Sequence, residues 1–95
     1  MPAEPEPVQT GHACATGTSE CGGGFCTVKI KNDCDQPLTC DAFALLRCRT
    51  PTDLVEARGR ERKTFSAKAA DEVVVQAKCT EGDPVQTELT ELKCQ

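Results

Sequence analysis

Eight cysteines stand among 95 residues, and no two of them are spaced Cys-x-x-Cys. They are Cys14, Cys21, Cys26, Cys34, Cys40, Cys48, Cys79 and Cys94. This density approaches the roughly 8–10% that marks disulfide scaffolds, whereas a reducing cytosol keeps thiols free for metal binding or catalysis. The even number leaves no obligatory free thiol, so four bridges are expected in an oxidising compartment: secreted, periplasmic or at the cell surface. Zinc knuckles deliver two thiolates from one tight turn. Only Cys21-Gly-Gly-Gly-Phe-Cys26 approaches that spacing, and no second knuckle answers it. Thioredoxin-like exchange needs a low-pKa cysteine in Cys-x-x-Cys. Neither a metal nor any other cofactor is expected.

A chain this short forms one domain, and small domains bury a smaller share of their surface than large ones. There is no Trp or Tyr, and the only aromatics are Phe25, Phe43 and Phe65. The core must therefore rest on Val, Leu, Ala and the half-cystines. A native bridge contributes about 2–4 kcal/mol, so four of them offset a modest core. The first residues carry neither the basic nor the apolar segment of a secretory signal peptide. The cysteines weigh more, and the sequence is read as the mature form of a secreted chain. No run approaches the ~18 apolar residues of a membrane-spanning helix.

Residues 1–10, MPAEPEPVQT, alternate proline with acid and are expected to form a flexible, extended arm. Pro2, Pro5 and Pro7 each remove an N–H that a sheet ladder would use. That favours a linker, or a spacer to a lipid anchor on the parent chain, over a strand lent to a neighbour. Residues 11–95 read as a single disulfide-rich domain. Its first part, residues 11–24, is rich in glycine and short of aliphatics, and is expected to be a loop layer tied by cysteines.

From Phe25 the hydrophobic period becomes two. Cys26, Val28 and Ile30 share one face of a half-buried strand, while Thr27, Lys29 and Lys31 share the other. After turn residues at 32–37, Cys40, Ala42, Ala44, Leu46 and Cys48 align on one face and Phe43 and Leu45 on the other, as in a central strand. Residues 50–58 have two readings. Thr50 as N-cap, Pro51 at the first position, Asp53 at the third and Gly59 past the end make a short-helix signature; a strand hairpin turning at Gly59 is the other. Helix is slightly favoured. Residues 63–67 and 72–79 come next as strands. The turn Glu81-Gly82-Asp83-Pro84 leads into residues 85–94, so the last two strands are expected to pair as a hairpin.

Short strands at regular spacing predict a mainly β fold: a small, disulfide-stapled antiparallel β-sandwich over residues 25–95, with the N-terminal loop layer and one short helix. Cys48 and Cys79 each end an apolar face, which makes them the best candidates for a bridge across the core. Cys79 with Cys94 is disfavoured, because a hairpin near Gly82 would set Cys79 opposite a residue close to Val85. The layout of FCTVKIKNDCDQPLTC and the later strands, with its Asn-x-Cys turn after the first strand, is similar in outline to small secreted immunoglobulin-like β-sandwiches of bacteria. The resemblance covers residues 25–94; it implies the two-sheet architecture and carries no function.

Chemistry is approached by elimination. The single histidine, His12, lies in the glycine-rich segment, so no Ser or Cys has an evident oriented base. Asp33-Cys34-Asp35 lacks the further oxygen ligands, central glycine and closing Glu of an EF-hand loop. A glycosidase cleft wants aromatic platforms as well as two opposed carboxyls. A net charge of −4 argues against nucleic acid as partner. The local exception is Arg58, Arg60, Arg62 and Lys63, read as cations around one turn at Gly59. They form either a solvated surface or a contact for an anion, an acidic protein partner, or the acidic arm of a neighbouring copy. The expected function is a non-catalytic secreted or cell-surface structural or interaction module, not an enzyme. The alternative is a small secreted inhibitor or toxin-like effector presenting a rigid loop from residues 11–26 or 52–63.

Overall fold

The computed structural model describes residues 5–95, and these form seven strands and no helix. In chain order they are β1 (Glu6–Val8), β2 (Ala15–Gly22), β3 (Phe25–Asn32), β4 (Leu38–Arg49), β5 (Leu54–Phe65), β6 (Ala69–Gln76) and β7 (Asp83–Cys94). One sheet has the order β1-β2-β3-β6 and the other β5-β4-β7, with every pair antiparallel. The sheets pack their inner faces together as a sandwich. The two-sheet outline holds without the buried Trp that packs on the central disulfide of antibody domains, since the chain has no Trp.

The inner faces are those the period-two pattern marks. Cys26, Val28 and Ile30 of β3 and Val73 and Val75 of β6 meet Cys40, Ala42 and Ala44 of β4, while Leu46 and Cys48 further along β4 pack with Ala77 in a second cluster, all buried. Phe65 closes one end of this core at 1% exposure. Asn32, also fully buried, ties that end together. Its Nδ2 donates to the carbonyls of Gln36 (3.0 Å), Phe65 (3.1 Å) and Ser66 (3.2 Å), and its Oδ1 accepts the Cys34 N–H at 3.0 Å. One amide side chain thus satisfies backbone groups of two segments, the turn after β3 and the end of β5.

Four sequence expectations are corrected. The first concerns the arm: Glu6–Val8 is a strand, set against Gly17–Ser19 of β2, while residues 1–4 lie outside the described residues. As an edge strand, β1 tolerates proline. Val8 and Ile30 approach each other over Gly17, where a Cβ would lie 2.7 Å from Ile30 Cδ1 and 2.8 Å from Val8 Cγ2. Second, most of the glycine-rich segment is β2, paired along its length with β3. Its inner residues Ala15, Gly17, Ser19 and Cys21 are small because β3 and β1 supply the bulk. The hairpin turns on Gly23 and Gly24, both at positive φ (62° and 92°), as a two-residue loop of matching twist requires.

Third, residues 50–58 contain no helix. The Thr50 hydroxyl accepts the Asp53 N–H at 2.9 Å, the bond an N-cap would make, but the chain then extends into β5. Gly59 lies mid-strand, opposite Ala44. Fourth, the last two strands do not form a hairpin: β6 pairs with β3 and β7 with β4. The 77–82 segment crosses from one sheet to the other, carrying Cys79.

The bridges follow this topology. Cys14–Cys34 joins the segments entering β2 and leaving β3, Cys21–Cys26 spans the β2–β3 hairpin, and Cys40–Cys94 joins β4 to β7. Cys48–Cys79 links β4 to the crossover from the other sheet. No cysteine is free.

Gly59 sets how closely β5 approaches β6, because a Cβ there would run into the carbonyl of Gln76. Gly59→Ala is expected to cost about 1–3 kcal/mol through forced backbone displacement, measured as a lower denaturation midpoint at unchanged m-value in the oxidised protein.

Candidate functional site

With alternate residues of β4 committed to the core, Asp41, Phe43, Leu45 and Arg47 face the other way. Strand register then assembles a surface from all three strands of the β5-β4-β7 sheet. On the β5 side, Arg62 stands opposite Asp41, Arg60 opposite Phe43, Arg58 opposite Leu45 and Glu56 opposite Arg47. On the β7 side the same four residues face Lys93, Glu91, Glu88 and Gln86. One edge of the face is a row of three arginines, the other carries two glutamates, and an aromatic and an aliphatic side chain lie between. Leu45 is 6% exposed although it points away from the core, because residues flank it on both neighbouring strands.

Asp41 organises the basic row. Arg62 forks onto it, with Nε donating to Oδ1 at 2.9 Å and Nη2 donating to Oδ2 at 3.1 Å. Arg60 Nη2 lies 3.5 Å from the same Oδ1, and its guanidinium carbon sits 5.4 Å from the centroid of the Phe43 ring, within cation–π range. The Asp41 side chain is only 14% exposed. The Arg62 hydrogen bonds foremost, with the charges of Arg62 and Arg60, hold its carboxyl below the ordinary aspartate value and outweigh partial desolvation. The same contact raises the Arg62 guanidinium further above its usual range. The other ion pairs on this face are looser: Arg58 to Glu56 at 3.7 Å, Arg47 to Glu56 and to Glu88 at 3.9 Å, and Lys93 to Glu91 at 3.6 Å.

The structure divides the four cations of the 58–63 cluster. Arg58, Arg60 and Arg62 share one face at alternate positions, not around a turn, because β5 runs straight through Gly59. Lys63 falls on the opposite face and pairs with Asp71 of β6 at 3.1 Å. That ammonium, after the Glu72 N–H, lowers the Asp71 carboxyl. Sequence reasoning misses Asp41, Phe43, Glu88 and Glu91 as partners of the arginines, since only cross-strand register places them side by side. Their one sequence signal is alternation with the apolar face of the same strands.

Elsewhere, polar groups are engaged in the fold. His12 donates from Nε2 to the Cys94 carbonyl at 3.1 Å, tying the segment before β2 to the end of β7. Lys68 donates to the Asp33 carbonyl at 2.7 Å and pairs with Asp35 at 3.2 Å, so a lysine occupies the acidic turn considered for calcium. Neither residues 11–26 nor residues 52–63 project as a loop, because both are largely laddered strand. Among the described residues no helix is long and apolar enough to cross a membrane. Compared with protein-family models, curated proteins and solved structures, the chain finds no match.

A carboxyl whose folded pKa is depressed adds stability above its unfolded pKa, and this is lost as pH falls through the folded value. The Asp41 contribution is thus expected to persist at neutral pH and to disappear below about pH 4. Carboxyl-carbon NMR titration should place Asp41 below 3.8, and Arg62→Gln should move it upward.

Proposed function

We propose that this chain is a non-catalytic interaction module of the secreted or cell-surface type, and that the outer face of the β5-β4-β7 sheet is where it meets other proteins. Four intramolecular bridges suit an oxidising, extracellular-type environment. They restrict the unfolded chain and so add to a small core.

The observation that carries this proposal is the organised row Arg58, Arg60 and Arg62. Alternate residues of a strand are spaced about 6.8 Å apart, so the guanidiniums form a short, regular ladder with Asp41 and Phe43 fixing two of them. Exposed ion pairs contribute little to stability, typically about 0–1 kcal/mol. Fold stability therefore gives little reason to order three arginines on one face of an acidic protein. Arginine and aromatic side chains in proximity are the residue types enriched in protein interfaces.

Titration of the isotope-labelled protein with a short Glu-rich peptide tests this directly. Amide shifts are expected in β4 and β5, and Arg58→Ala/Arg60→Ala should weaken binding at least about fivefold, within the range measured for interfacial charge pairs. Shifts elsewhere, or none, overturn the assignment of the face. The stapled scaffold has its own expected outcome. The oxidised chain should keep its intact mass during a trypsin exposure that digests the reduced, alkylated chain at its 11 Lys and Arg residues.

A further inference from the structure

The outer face of the β5-β4-β7 sheet is not uniformly basic, and its charge pattern selects a partner. Two strand spacings separate β5 from β7, about 10 Å, close to one screening length at physiological ionic strength. A uniform polyanion laid along Arg58, Arg60 and Arg62 would feel Glu88 and Glu91 as well. A better fit is a surface that is acidic opposite β5, basic opposite β7 and apolar between. The chain itself carries that surface. Resting on the assignment of this face as an interaction surface, we propose that its partner is a second copy of the same chain, packed face to face about a twofold axis.

Charge decides which axis. A dyad lying in the interface perpendicular to the strands sets β5 over β5, arginine against arginine. A dyad parallel to β4 sets β5 of each copy over β7 of the other and keeps every residue at its own height along the strands. The register then places Arg60 against Glu91 of the second copy and Arg58 against its Glu88, twice each by symmetry. The two Phe43 rings, half-buried in the single chain, face each other across the axis. Of the side chains recruited, Arg58, Glu88 and Glu91 are only loosely held within one copy, at 3.6–3.9 Å, and Arg60 is presented already ordered by Asp41 and Phe43. The unfavourable row is Arg62 against Lys93; Arg62 keeps its own acid, Asp41 at 2.9 Å, and Lys93 shares Glu91, 3.6 Å away, with the second copy's Arg60.

Joining the sheets edge to edge through β7 is the poorer route to a dimer. Antiparallel β7 strands would bring the acidic residues of two copies together. Pro84 and the register breaks at Phe43/Ala44 and Arg47/Cys48 also interrupt the ladder.

Sedimentation of the full oxidised chain tests the proposal between about 0.01 M and about 1 M salt, over which the screening length falls from ~30 Å to ~3 Å. A dimer is expected at low salt, with a dissociation constant at least about tenfold weaker at high salt. Arg58→Glu/Arg60→Glu and Glu88→Arg/Glu91→Arg should each be monomeric alone, by at least about tenfold in affinity. An equimolar mixture of the two should associate. The variant carrying all four changes keeps the wild-type net charge and should dimerise again. Circular dichroism and a count of zero free thiols establish that each variant is folded. A chain that stays monomeric up to about 1 mM, at the edge of measurable affinity, overturns the proposal. So does a dimer indifferent to the reversals, or failure of the fourfold swap to restore it. The acidic-peptide titration is read on single chains at low concentration, so a monomeric result here overturns the dimer and leaves the face itself to be judged by that titration.

Discussion

The inner row of β4 is the constraint on which the rest of the molecule depends. Cys40, Ala42, Ala44, Leu46 and Cys48 are all buried, and the two cysteines anchor the strand near both ends. Cys40 is bonded to Cys94 of β7, directly opposite, and Cys48 to Cys79 in the crossover from the other sheet. These bridges close the longest loops in the chain, with sequence separations of 54 and 31. In the chain-entropy description they restrict the unfolded state most, and Cys21–Cys26, with a separation of 5, restricts it least. A small core in which alanine and cystine stand beside Val28, Ile30, Leu46, Val73, Val75 and Phe65 has limited apolar area, so the entropy removed by these closures matters more here than in a larger domain.

Holding β4 in this way fixes what appears on its other side. Because side chains alternate, burying Cys40 through Cys48 obliges Asp41, Phe43, Leu45 and Arg47 to face outward. Pairing with β5 and β7 then aligns an arginine row and an acidic row with them. The same residues that staple the core therefore determine the position of the charged face. Asp41 sits between the two roles: it is mostly covered by the arginines it binds, which keeps it ionised and keeps two guanidiniums in place.

Where strands are exposed at an edge, the chain limits open pairing. The three-residue β1 covers part of β2 and contains a proline, and β7 carries Pro84, two register irregularities and a run of charge. Close backbone approach does similar work inside. Gly59 admits the Gln76 carbonyl, and Gly17 lets Val8 and Ile30 meet across β2.

The alternation in residues 25–32 and 38–48 was legible without coordinates, because a strand buried on one face writes its period into the sequence. The even, dense set of cysteines likewise pointed to a disulfide-stapled domain, while the mainly β class came from the strand periods. Residues 15–22 were not legible as a strand, because their inner side chains are Ala, Gly, Ser and Cys, whose bulk is supplied by Val8 and Ile30 from other strands. Thr50 and Pro51 misled for a related reason: the same hydroxyl-to-N–H bond can start a helix or close a turn into a strand, and here pairing of residues 54–65 with β4 decides for the strand. The basic cluster could be found as composition, but local sequence says nothing of register between strands distant along the chain. Which cations share a face, that Lys63 leaves it, and that Asp41, Glu88 and Glu91 join it were settled only when β4 paired with β5 and β7.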